Sequence, residues 1–282
     1  MKAAIQDLYD LIPHKAHDLR LQAFLLESNS VEELDEIART AQDDSYQAIP
    51  ASARLKAAWI RNNINKGVSW TTDPDSTPKC DISAFTYESE WRGKEVGRYN
   101  QRNVIVEWKP VSLDLPFDKM EARICEIAGL LRETNKTKPK DLIILDCLGA
   151  MVRPGVQPTV GLVYSMPMCT ADSGPTTLFE ILGRKNASGG HGPALEYRRK
   201  LACSLARAVF QLHVVGWLHK SIRPQNIAFF GSTNVLESPY LIGFDYARRR
   251  DIAETSERPD SQFNTYRHPD AQGNARKRYV SL

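Results

Sequence analysis

The period of the apolar positions changes along this chain, and the changes divide it. As far as about residue 64, apolar residues recur every three to four positions in four stretches, Ala3 to Ile12, Ala16 to Ser28, Val31 to Ala41 and Ser52 to Ile64, the spacing of helices that bury one face. Ser30, ahead of Glu32 and Glu33, and Ser52 have the chemistry of helix starts, because a serine oxygen accepts an orphaned N–H of the first turn. Pro13 and Pro50 punctuate this region, and Thr71 to Pro78 is polar and turn-rich, so residues 71–79 read as a linker after a helical region 1–70. Beyond it, Gly93 and Gly97 give a hairpin signature, and Asn103 to Lys109 alternates apolar and polar like a half-buried strand. Pro116 to Thr134 returns to helical spacing through Phe117, Met120, Ile124, Ile127, Leu130 and Leu131. The runs Asp141 to Met151 and Thr159 to Met166, parted by Arg153-Pro154-Gly155, predict two strands. A helix from Glu196 to Val215 follows, then a short strand at Trp217-Leu218, a polar loop and strands at Ile227 to Phe230 and from Tyr240. The order predicts an α+β fold preceded by a small all-α region.

The polar loop carries the candidate chemistry. His219-Lys220-Ser221-Ile222-Arg223-Pro224-Gln225-Asn226-Ile227 has the form of the protein-kinase catalytic loop H-R-D-L-x-x-x-N, with Ser221 where the proton-accepting aspartate belongs and Asn226 at the metal-holding asparagine. Arg223 stands where many kinases keep a lysine that contacts the transferring phosphate, so it is a candidate for electrostatic stabilisation. Downstream, Gly243-Phe244-Asp245 occupies the position of Asp-Phe-Gly with its outer letters exchanged, and a glycine has no side chain to ligate a metal. If that segment is extended, Gly243 and Asp245 share a face roughly 7 Å apart, which makes Asp245 a candidate displaced ligand; the alternative is that Asp245 caps the following turn. Lys109 ends its strand as the lysine of V-A-I-K does and is the candidate phosphate contact, with Glu126, or alternatively Glu121, as its helix partner. Met166-Pro167-Met168 falls where a hinge would hydrogen-bond an adenine ring. Only Gly93 and Gly97 stand in for the glycine-rich phosphate loop, with Lys94 and Arg98 beside them.

With these residues, and with Leu148-Gly149, Leu212 to Lys220, Pro239 to Asp245 and Tyr266 to Gly273, the chain resembles the kinase-like domain of a group of fungal proteins in which that domain follows a prion-inhibition (HeLo-type) helical region. The resemblance runs from about Cys80 onward. It implies a two-lobed fold, an N-lobe about 80–167 and a partial C-lobe about 168–282, in a pseudokinase-like signalling module with ATP and magnesium as cofactors to test, Lys109, Glu126, Met166, Met168, Gly243 and Asp245 around the nucleotide and Asn226 and Asp245 toward the metal. His268-Pro269-Asp270 stands where Ala-Pro-Glu closes the activation segment, and only Ala271 to Leu282 follow. The expectation is therefore a shortened C-lobe, an exposed underside on the long helix, and mobility after Arg248. Three functions stay open: a pseudokinase scaffold binding protein partners, a weak or unconventional Ser/Thr-type kinase, and a non-enzymatic fragment in which the N-terminal helices act.

Bulk properties narrow the partners. Of 282 residues, 42% are hydrophobic and 25% charged, an ordinary globular balance, and a net charge of +3 gives no argument for nucleic acid. Arg248-Arg249-Arg250 and Arg276-Lys277-Arg278 read as solvated loop charge, the first with a minor reading as a phosphate receiver. Cys80, Cys125, Cys147, Cys169 and Cys203 are odd in number and widely spaced, which predicts reduced thiols in the cytoplasm or nucleus and no metal framework. No stretch is long and apolar enough to read as a membrane span.

Overall fold

The structure is a computed structural model that describes residues 16–40, 48–64, 79–109, 116–137, 142–167, 174–188, 193–231, 238–250 and 265–266. Among the described residues the chain is a mixed α+β protein. Three helices open it: α1 (Ala16–Glu27), α2 (Val31–Thr40) and α3 (Ala48–Ile64). Ser30 starts α2 as its sequence predicts, its Oγ accepting the Glu33 N–H at 3.3 Å. Ser52 does not start α3. That helix begins at Ala48 and takes Pro50 into its first turn, where the missing N–H would have had no intrahelical partner. Ser52 is instead fully buried and donates its hydroxyl to Gln211 Oε1 at 2.7 Å. The expected helix Ala3 to Ile12, the turn-rich run Thr71 to Pro78, Met168, Cys169 and nearly everything after Arg250 lie outside the described residues.

A six-stranded sheet follows, in the order β1-β5-β6-β4-β3-β2. Its strands are β1 (Lys79–Cys80), β2 (Phe85–Trp91), β3 (Lys94–Tyr99), β4 (Arg102–Trp108), β5 (Cys147–Arg153) and β6 (Thr159–Ser165). β1 runs parallel to β5, and the other neighbours are antiparallel. Arg92 and Gly93 turn the β2–β3 hairpin with φ of 52° and 74°, the paired positive values a two-residue turn needs to match strand twist. Helix α4 (Phe117–Thr137) lies on one face, burying Met120, Ile124, Ile127, Leu130 and Leu131 with Leu162 and Tyr164 of β6. Val104, Val106 and Val163 point to the opposite face with Cys80 and Met151, as the two-residue period of a strand requires. The apolar run from Asp141 divides where the sequence reads one strand: Ile144 makes an isolated bridge to Leu241, and β5 begins only at Cys147.

The second half holds α5 (Leu178–Ser188) and α6 (Leu195–Val214) with a three-stranded sheet β10-β9-β7 and a two-stranded ladder β11-β8. Those short strands are β7 (Thr176–Thr177), β8 (Trp217–Leu218), β9 (Ile227–Phe229), β10 (Pro239–Leu241) and β11 (Arg248–Arg249). The end of α6 is covered: Val214 is buried in one cluster with Leu25, Leu34, Ala38, Ile49, Ala53 and Ala57 of the opening helices, with Phe210 packed against it. Trp59 of α3 meets Trp217 edge-on with centroids 6.1 Å apart, and Leu55 joins the core shared by α4 and β6. The opening helices thus bridge α4 and α6, so this end of the long helix does not present the exposed underside that the sequence leads one to expect. No described helix is long and apolar enough to cross a membrane.

Candidate functional site

The loop between β8 and β9 is tied from both ends by His219. Its Nε2 faces the Ile242 carbonyl at 3.1 Å, while Nδ1 accepts the Ser221 N–H at 3.2 Å. Both contacts are satisfied only by the neutral ring with its proton on Nε2. Burial agrees, pushing the His219 pKa down to about 4. The ring also meets Phe244 edge-on, centroids 4.5 Å apart.

Asn226 closes the loop on itself. Its Nδ2 donates to Ser221 O at 2.8 Å and to Ser221 Oγ at 2.9 Å. Its carbonyl accepts the Ile242 N–H at 3.0 Å, which seats Gly243 directly against the amide. A Cβ on Gly243 would lie 2.3 Å from Asn226 Nδ2, and the backbone there is left-handed at φ 82° and ψ 48°. This position therefore lacks a carboxylate and has no room for one.

The segment after Gly243 is a 3-10 turn, Phe244–Tyr246, and not the extended strand that would put Gly243 and Asp245 on one face. Asp245 lies inside that turn, whose N-cap is Gly243. The half-buried carboxyl has its pKa pushed up to about 6, by desolvation first and then by Glu107, against the opposing pull of Lys109, Lys94 and Arg223. Two carboxylates and three cations thus share one electrostatic neighbourhood.

Glu107, one of those carboxylates, is a residue that the motif comparison passed over. It lies on β4 two positions before Lys109 and on the same inward face, 5% exposed. Both of its oxygens accept the Gly243 N–H, at 2.9 and 3.0 Å, and Oε2 takes a longer contact from Phe244 N–H at 3.4 Å. Lys94 of β3 approaches Glu107 Oε1 at 3.5 Å. The signal was present in the sequence: an acidic residue at an inward strand position next to apolar Ile105.

Lys109 is just as deeply set, 2% exposed, with Nζ 3.9 Å from the centre of the Tyr246 ring. Its own N–H bonds Val160 O at 2.8 Å, so the strand's hydrogen bonding continues to this residue. Glu126 faces Arg249 at 3.6 Å, and Glu121 faces Lys79 at 3.2 Å. Because β11 pairs with β8 through Arg249 and Trp217, the Glu126 contact ties α4 to the segment that follows Asp245. Met166 follows β6, its N–H bonded to Asn103 O at 2.9 Å. Arg223 adjoins Pro224–Asn226 and contributes its charge to the Asp245 field. The structure therefore brings Ser221, Asn226 and Gly243 into contact and sets Lys109 and Arg223 in the field of Asp245, while Glu126 faces Arg249. Among the described residues no cluster of three or more His, Cys, Asp or Glu side chains is placed to hold a metal ion.

No family model matches the sequence, and no curated protein matches it.

Proposed function

We propose that the chain is a protein-kinase-like module of the HeLo-associated fungal kind, in which phosphotransfer has been exchanged for a scaffolding role in signalling. The observation that carries this reading is the Asn226–Gly243 contact. In a working kinase these two positions hold the magnesium ions between them. Here the Asn226 amide is committed to Ser221, and Gly243 lies so close that any side chain would collide with it. The donor set does not fit a metal-bridged triphosphate, and Ser221 in place of the general base removes a further hundred- to ten-thousand-fold, roughly, in rate.

The burial of Lys109 beside Asp245 supports a second reading, an unconventional ATP-dependent kinase in which Asp245 replaces the lost carboxylate. The shared core of the opening helices and α6 supports a single working module over a helical fragment with a decayed remainder. Cys80, Cys125, Cys147 and Cys203 form no disulfide among the described residues, in keeping with a cytoplasmic or nuclear setting.

Thermal unfolding with ATP, with magnesium and manganese varied separately, separates the first two readings. A ligand at about a hundred times its dissociation constant stabilises by roughly 2.7 kcal/mol. The scaffold reading expects no metal-dependent shift and no phosphate transfer above a Lys109→Ala control. A metal-dependent shift abolished by both Lys109→Ala and Asp245→Ala overturns it in favour of the unconventional kinase.

A further inference from the structure

Among the contacts that join the six-stranded sheet to the second half of the chain, three involve the β2–β3 hairpin tip and Glu107. At the tip of the β2–β3 hairpin, Arg92 reaches Glu180 of α5 with Nε at 3.1 Å and Nη2 at 2.6 Å from the same oxygen. Glu180 is held ready for it, its other oxygen accepting the Thr177 N–H at 2.7 Å and the Thr177 hydroxyl at 3.0 Å. Beside this pair, Trp91 tilts onto Phe230 at the end of β9, with centroids 6.3 Å apart. Deeper in, Glu107 spans the same division through the Gly243 amide.

We propose that the chain closes its own cleft: the hairpin is an internal strap fastened by Arg92 to Glu180 and by Trp91 to Phe230, and Glu107 is an internal plug seated on the backbone of Gly243. The ligand shut out is a nucleoside triphosphate, whose phosphates the hairpin would otherwise cover and whose negative charge Glu107 supplies from within. That identity rests on the kinase-like reading; the closure itself does not. Each fastening is releasable. The Arg92 side chain is 57% exposed and its ion pair is open to water and salt. Trp91 buries its indole N–H with no acceptor among the described residues, whereas an open hairpin returns that group to solvent. The closed and open forms are therefore two arrangements of the same elements, and a partner or ligand that favours the open form shifts the balance.

The test is amide hydrogen exchange on the full chain, read in peptides covering residues 88–98 and 239–250, together with calorimetric titration of ATP with and without magnesium. The variants are Arg92→Ala, which removes only an exposed side chain, and the double variant Arg92→Ala/Glu107→Gln. The strap predicts at least tenfold faster exchange across the hairpin in Arg92→Ala, spreading to the Gly243 region in the double variant, and ATP binding at least tenfold tighter in the double variant than in wild type. Unchanged exchange in both variants overturns the closure, as does wild-type binding of ATP as tight as that of the double variant. Faster exchange without any ATP binding leaves the closure standing and sinks the nucleotide-cleft reading.

Discussion

Glu107 and Gly243, 136 positions apart in sequence, are joined by a carboxylate that accepts one backbone N–H through both oxygens, at 2.9 and 3.0 Å. Gly243 has no side chain through which to be anchored, so this bond and the Asn226 contact fix where the Gly243-Phe244-Asp245 turn sits. Replacing Glu107 with alanine orphans a buried N–H and leaves Lys94 facing Asp245 without its nearer partner. The expected cost is about 1–3 kcal/mol, read as a lower melting temperature. Glu107→Gln keeps an acceptor of the same length and should lose less. Equal losses for the two variants would show that side-chain volume, and not the hydrogen bond, holds the turn.

Placing at position 243 the aspartate of the kinase motif should damage this protein. Gly243→Asp places a Cβ 2.3 Å from the Asn226 amide and forces a non-glycine residue to φ 82°. The left-handed backbone costs about 1–2 kcal/mol and the overpacking about 1–3 kcal/mol more. The double variant Ser221→Asp/Gly243→Asp should therefore melt earlier than wild type and show no phosphotransfer. If it instead gained metal-dependent transfer without losing stability, the Asn226–Gly243 contact would not be the obstacle inferred here.

The acid dependence contains two opposed contributions. An unfolded aspartate titrates near about 3.9, whereas folded Asp245 keeps its proton up to about 6. Asp245 therefore imposes a cost that is fully present above pH 6 and is relieved as the pH falls toward 4. His219 runs the other way: its ordinary value of 6.5 drops to about 4 in the fold, so its contribution is lost as the pH falls through the same window. Asp245→Asn should melt higher than wild type at pH 7, and the difference between the two melting temperatures should shrink toward zero by pH 4. A constant difference across that range would mean that the Asp245 carboxyl titrates as if it were in water.

How much of this was legible in the sequence depended on the distance over which each residue's partner lies. The α4 stripe and the alternation of β4 are local patterns, and the structure follows them to within a few residues; of the two glycines read as a hairpin signature, Gly93 lies in the turn and Gly97 within β3. Ser221, Asn226 and Gly243 lie in mutual contact, with Lys109 and Arg223 acting on Asp245. Ser52 was read as a local cap because its true partner, Gln211, lies 159 positions away. Glu107 escaped notice for the same reason: an inward acid on a strand is explained only by the distant amide it binds. The extended course considered for Gly243 to Asp245 fails because nothing nearby in sequence announces that Gly243 turns left-handed beside Asn226.

The joint between the opening helices and α6 gives the last prediction. Ser52 and Gln211 are 0% and 1% exposed and bonded at 2.7 Å, surrounded by the apolar cluster of Ala53, Ala57 and Val214. Ser52→Ala leaves the Gln211 carbonyl oxygen buried without that donor, at a cost of about 1–3 kcal/mol. Gln211→Leu alone likewise removes the acceptor 2.7 Å from the serine hydroxyl. Combining them removes both polar groups from an apolar site, so the double variant should recover most of the loss, giving a coupling energy of about 0.5–3 kcal/mol in a double-mutant cycle. Because the helices share one core with α4 and α6, each variant should shift a single cooperative transition. An early partial transition in Ser52→Ala, followed by an unshifted main one, would mean that the helices unfold as a separate unit and do not hold α4 and α6 together.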